Sequence, residues 1–91
     1  ILTIKDDRID RARLLKFCQE KGIGTRSLFA GNITKQPYFI DGKFKHKIVG
    51  RLKNTDLVMA KSFWVGVWPG LGKDDLDKIV GTLKEFTGQY E

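Results

Sequence analysis

Gly22-Ile23-Gly24-Thr25-Arg26-Ser27-Leu28-Phe29-Ala30-Gly31-Asn32 decides how this chain is read. A turn glycine opens it, a short β-prone run follows, and Ala-Gly-Asn closes it. Small residues at the end of a strand let a ligand approach the backbone, and a rigid element behind such a loop makes it a favoured place for binding. Residues 23–29 are expected to be a strand. Immediately before it, Ile9, Ala12, Leu15 and Cys18 recur at three-residue steps, with Leu14 and Phe17 widening the stripe. That spacing predicts an amphipathic helix. Asp7 is expected to be its N-cap, with Lys21 in its last turn and Gly22 as a left-handed cap. Residues 1–4 form a β-prone run and predict a first strand.

Beyond Asn32 the pattern loosens. Residues 30–53 contain Gly31, Pro37, Gly42 and Gly50, with Tyr38, Phe39 and Phe44 at no clean period. This stretch is expected to be a long basic loop with one turn of helix, and loops of that length in small domains tend to be functional. Asn54 is expected to cap a short helix ending at Lys61. Phe63-Trp64-Val65-Gly66-Val67-Trp68 is the strongest strand signal, stopped by Pro69-Gly70. Gly72 then opens a helix in which Leu76, Ile79, Val80, Leu83 and Phe86 keep the 3.6-residue period. The fold class that follows is α+β: a two-layer sandwich whose small three-stranded sheet is covered by helices on one face.

Composition narrows the function. The chain has 91 residues, 41% hydrophobic and 31% charged, which suits one small globular domain spanning residues 1–91. No apolar run approaches the ~20 residues of a membrane span. The net charge is +6, but residues 35–53 hold six basic side chains (Lys35, Lys43, Lys45, Lys47, Arg51, Lys53) against Asp41. The remaining residues are nearly balanced. The basicity therefore belongs to one loop, which argues against a free-standing nucleic-acid-binding module, the rival reading from another class. The lone Cys18 fits a reducing compartment, residues 1–5 read as a strand rather than a secretory signal, and the expected location is cytoplasmic. The first residue is Ile, inside a β-prone run, so a piece of a longer polypeptide is expected.

Self-contained catalysis is hard to build from these side chains. His46 lies among lysines and reads as polar surface. Cys18 lies on the apolar helix stripe and reads as core. Asp74, Asp75 and Asp77 are accounted for by a helix start, where the dipole favours carboxylates. Gly66 to Gly72 lacks the spacing of a phosphate loop. Trp64 and Trp68 read as core or interface packing ahead of base stacking. Arg26, a rigid fork for phosphate or carboxylate, Phe29, and Asn32, donor and acceptor at once, are stronger candidates. From the residues alone, a binding role and a plain surface-and-turn role stay equally open for them.

The chain resembles the C-terminal small domain of the DegT-type sugar aminotransferase and dehydrase family, vitamin B6-dependent enzymes of fold type I. The resemblance rests on Lys21-Gly22-Ile23, Gln36-Pro37-Tyr38, the short helix ending at Lys61, and the closing strand and helix. Gly24-Thr25-Arg26-Ser27-Leu28-Phe29-Ala30-Gly31-Asn32, Asn54-Thr55-Asp56 and Phe63-Trp64-Val65-Gly66-Val67-Trp68-Pro69-Gly70-Leu71 are similar to the branch that removes the 3-hydroxyl of CDP-4-keto-6-deoxyglucose in lipopolysaccharide sugar synthesis. Aminotransferases of the family tend to carry a His-Tyr-Pro type segment where Leu28-Phe29-Ala30-Gly31-Asn32 stands, and the same domain of a nucleotide-sugar aminotransferase is the alternative. The resemblance implies pyridoxamine or pyridoxal phosphate, a 2Fe-2S cluster, and a histidine in place of the Schiff-base lysine, all on a large domain of the same polypeptide. It also implies a CDP-sugar substrate, a homodimer and an iron-sulfur reductase partner. Arg26, Phe29, Asn32, Gln36 and Tyr38 would line or brace the sugar-nucleotide side of the cleft, and the basic loop would help hold the pyrophosphate. No catalytic, cofactor-binding or metal-binding residue is expected in this chain itself.

Overall fold

The computed structural model describes residues 1–42 and 45–91. Lys43 and Phe44, counted above with the basic loop and its aromatics, lie outside the described residues. In chain order the elements are β1 (Leu2–Thr3), α1 (Arg11–Glu20), β2 (Thr25–Ser27), a 3₁₀ turn (Ile33–Lys35), α2 (Pro37–Ile40), α3 (Lys53–Lys61), β3 (Ser62–Val65) and α4 (Lys73–Thr87), followed by a closing 3₁₀ turn (Gly88–Tyr90).

The sheet is antiparallel in the order β1-β3-β2, so the last strand in the sequence is the central one. Leu2 lies opposite Phe63, and Thr25, Arg26 and Ser27 lie opposite Val65, Trp64 and Phe63. The expected strand of residues 63–68 stops at Val65 because its partner stops: Thr25 is the last residue of β2 to pair with it. Past that point the backbone has no ladder to extend, whatever its β propensity.

Ile4, Leu14, Cys18, Ile23, Phe63 and Phe86 form the buried core, with Ile9, Leu15, Phe17, Val65, Ile79, Leu83 and Tyr90 packed around it. Both long helices contribute from the same side, and the rings of Phe17 and Phe86 meet at 5.4 Å. The α+β sandwich with helices on one face is thus observed. The α1 stripe is buried at Leu14 and Cys18, while on α4 the inward line is Ile79, Thr82, Leu83 and Phe86. Leu76 and Val80 belong to the predicted stripe but remain about half exposed, at 51% and 49%.

Local corrections concern helix starts. Asp10, not Asp7, caps α1: its Oδ1 accepts the Ala12 N–H at 2.8 Å. Asp7 instead pairs with the Lys61 ammonium. Asn54 lies inside α3, whose N-cap is Leu52 in the left-handed region at φ 49°. The α1 terminus follows expectation. Gly22, at φ 79°, donates to the Gln19 carbonyl and Ile23 donates to that of Cys18, a Schellman arrangement in which Ile23 and Cys18 also share the core. The α4 start is as expected, with Asp75 accepting the Gly72 N–H at 3.0 Å.

The molecule is drawn out. Its Cα radius of gyration is 16.3 Å and its extents are 50 × 32 × 20 Å, whereas a close-packed chain of this length has a radius near ~12 Å. Among the described residues no helix is long and apolar enough to cross a membrane.

Candidate functional site on the open sheet face

Alternation along β3 sends Phe63 and Val65 into the core and Trp64 to the opposite face. Arg26, opposite Trp64, shares that face. Together with Ile1, Gly24, Thr25 and residues 65–67 they line an open hollow of ≈ 790 Å³. Phe29 joins them from the loop after β2, its ring edge-on to Trp64 at 5.3 Å. It is 83% exposed. Its backbone sits at φ 44°, at the first central position of the turn that Gly31 closes by donating to the Leu28 carbonyl. A bulky aromatic seldom takes that conformation, and an exposed one held there points to a task.

The loop is braced from behind. Asn32 is 2% exposed. Its Oδ1 accepts from the Thr34 N–H at 3.0 Å and the Thr34 hydroxyl at 2.6 Å, and its Nδ2 donates to Asp56 Oδ1 at 2.8 Å. The Lys35 ammonium meets the same carboxylate oxygen at 2.9 Å. Lys35 first, and then Asn32, hold the Asp56 carboxyl below its ordinary pKa. Gln36 Nε2 donates to the Ala30 carbonyl at 2.8 Å. A second hollow of ≈ 200 Å³ lies between this loop and the helices, lined by Arg11, residues 27–31, Gln36 and Met59. Arg11 spends one guanidinium N–H on the Ser62 carbonyl at 2.9 Å.

The structure therefore brings Arg26 and Phe29 together on the open face. Asn32 is committed to the fold of the loop, and Gln36 spans it. Tyr38 stands on α2, exposed, its ring edge-on to Phe39 at 6.4 Å. His46 is likewise exposed, against Phe39 at 4.9 Å. The 30–53 stretch, expected to be a loop with one helical turn, holds both the 3₁₀ turn and α2. Sequence reasoning missed Trp64 as a member of this face, although its alternation with Phe63 and Val65 carried the signal. Asp56 was missed because its partners lie some twenty residues away in sequence.

Arg26 and Trp64 on one face, with the exposed Phe29 ring against Trp64, suit an anion joined to a flat or ring-shaped group. A pyridine cofactor fits less well. Neither of these two hollows is lined by a carboxylate for a pyridinium nitrogen, or by a lysine or histidine for its aldehyde carbon; Asp75 and Lys78 line a third, of ≈ 330 Å³, beside Trp68 and Ile79. Burial pushes the thiol pKa of Cys18 up, and one cysteine cannot supply the thiolates of an iron-sulfur cluster.

Fold and face together define a small α+β domain that presents an arginine- and aromatic-bearing sheet face. Residues 1–84 match the DegT/DnrJ/EryC1/StrS aminotransferase family, and the chain belongs to it. It is 46% identical over 88 residues to the lipopolysaccharide biosynthesis protein RfbH of Salmonella typhimurium, which covers 96% of this chain and 20% of that protein. It is 39% identical over 89 residues to the dTDP-4-dehydro-2,6-dideoxy-D-glucose 3-dehydratase of Saccharopolyspora spinosa, covering 97% of this chain and 19% of that enzyme. The chain spans about a fifth of the length of these relatives.

Proposed function

We propose that this chain is the small domain of a larger nucleotide-sugar 3-dehydratase that removes the C3 hydroxyl of a 4-keto-6-deoxyhexose in lipopolysaccharide sugar synthesis. The observation that carries it is the likeness of nearly the whole chain to an enzyme named as a 3-dehydratase, alongside a lipopolysaccharide biosynthesis protein. In this reading pyridoxamine phosphate and the 2Fe-2S cluster are held by the rest of the polypeptide, and the single Cys18 of this chain is too few for a cluster. The chain's own part is to close the cleft. Arg26 binds an anionic group of the substrate, CDP-linked in this reading. Phe29 packs on the sugar and excludes water, Asn32 and Gln36 hold the loop, and Tyr38 borders it. The holoenzyme is cytoplasmic and homodimeric and draws electrons from an iron-sulfur reductase.

The family description supports a second reading, an aminotransferase. Incubating the full-length polypeptide with CDP- and dTDP-linked 4-keto-6-deoxyglucose, with and without glutamate and a reductase, separates the two. The dehydratase reading expects a 3-deoxy product that needs the reductase and no amino donor. A glutamate-dependent amino sugar would overturn it in favour of transamination.

A further inference from the structure

Two residues of α3 carry the loop of residues 28–36. Gly31, at φ 66°, lies so close to Met59 that a Cβ there would fall 2.5 Å from Met59 Cγ and 3.0 Å from its Cα. Three positions earlier on the same helical face, Asp56 takes both Asn32 and Lys35 on one oxygen. Asn32 is buried, so its amide has no water to fall back on. The loop is thus held at Gly31 by shape and at Asn32 and Lys35 by one carboxylate, while Phe29, between β2 and these anchors, is left outward in a left-handed conformation.

We propose that Asp56 is a positioning residue: from α3 it fixes the loop of residues 28–36 in the conformation that presents Phe29 on the open sheet face. Asp56 itself does not touch substrate. The functional consequence rests on the reading above, in which Phe29 meets the sugar nucleotide. Losing the carboxylate leaves the Asn32 amide without its acceptor and Lys35 without its counter-ion. The loop then samples other conformations, and the substrate must pay to reorder it.

The test uses the full-length polypeptide carrying Asp56→Ala, with Asp56→Leu, similar in size and without an acceptor, taking its place under the same criteria if the alanine variant does not fold. The first readout is amide hydrogen exchange, which needs no substrate. The Gly31, Thr34 and Lys35 amides are expected to exchange about tenfold faster, with the amides of α1 and α4 unchanged. The second readout is steady-state kinetics: KM for the nucleotide sugar rises about tenfold while kcat moves less than about twofold. In a Phe29→Ala background the Asp56 substitution adds less than about twofold to KM, because the side chain it presents is gone. Unchanged exchange at Gly31, Thr34 and Lys35 overturns the proposal, as does a full additive effect on KM in the Phe29→Ala background. An enzyme that turns over no nucleotide sugar defeats the functional reading instead, and exchange still decides whether Asp56 sets the loop.

Discussion

Gly31 leaves no room for a side chain. A methyl group there would meet the backbone of α3 as well as the Met59 side chain, and the φ of 66° is itself unfavourable for any residue with a Cβ. Gly31→Ala should destabilise the fold by about 2 kcal/mol, read from chemical denaturation, and Met59→Ala should not rescue it fully because the Met59 Cα also blocks the space. Acid acts at other residues. The Arg8 guanidinium and backbone N–H hold the Asp6 carboxyl at about 2. A carboxyl depressed in the folded state stabilises it above the ordinary value near ~3.9 and loses that contribution as pH falls toward 2. Asp56 acts in the same direction. An Asp6→Asn variant should therefore show a shallower loss of stability over this acid range than the parent, and an identical acid limb would contradict the assignment. Little of this was legible beforehand. Asn32 has the look of a turn residue until Asp56 is placed beside it, and that contact is made by the tertiary fold, not by local sequence.

At the scale of elements, periodicity did most of the predictive work. The stripes of α1 and α4 run for several turns, long enough for a 3.6-residue repeat to emerge. The 3₁₀ turn and α2 are too short to show any period, so residues 30–53 read as loop. Helix starts were harder, because several residues near α1 have the right side chain and only geometry chooses among them. Asp7 is drawn away by Lys61, and Asp10 takes the cap. Asp10→Ala should cost about 1 kcal/mol in thermal or chemical unfolding. Asp7→Ala, which breaks only an exposed ion pair, should cost under about 0.5 kcal/mol. The reverse order would restore the cap first assigned from the sequence.

As a whole, the molecule shows more of itself to water than its size requires. Its accessible surface is 7168 Å², where a close-packed monomer of this mass exposes roughly 5,400 Å². The excess of about 1,800 Å² exceeds the ~800 Å² that one partner gives to an ordinary stable interface. Leu76 and Val80, the half-exposed end of the α4 stripe, belong to that excess. If the rest of the polypeptide covers them, Leu76→Asp with Val80→Asp should lower the melting temperature of the full-length protein. The same pair should leave the stability of the 91-residue chain nearly unchanged, and equal losses in both would place the patch in solvent. The two-layer architecture was legible from the sequence, since three strand signals and two striped helices allow few other arrangements. The drawn-out shape was not, because no local pattern records which faces are left uncovered. The strand order has a consequence for biosynthesis. Both outer strands pair with β3, so a nascent chain leaving the ribosome has no sheet to assemble until residue 65 has emerged. A message broken before that codon yields a product with two orphan strands and no centre, a ready client for chaperones and proteases.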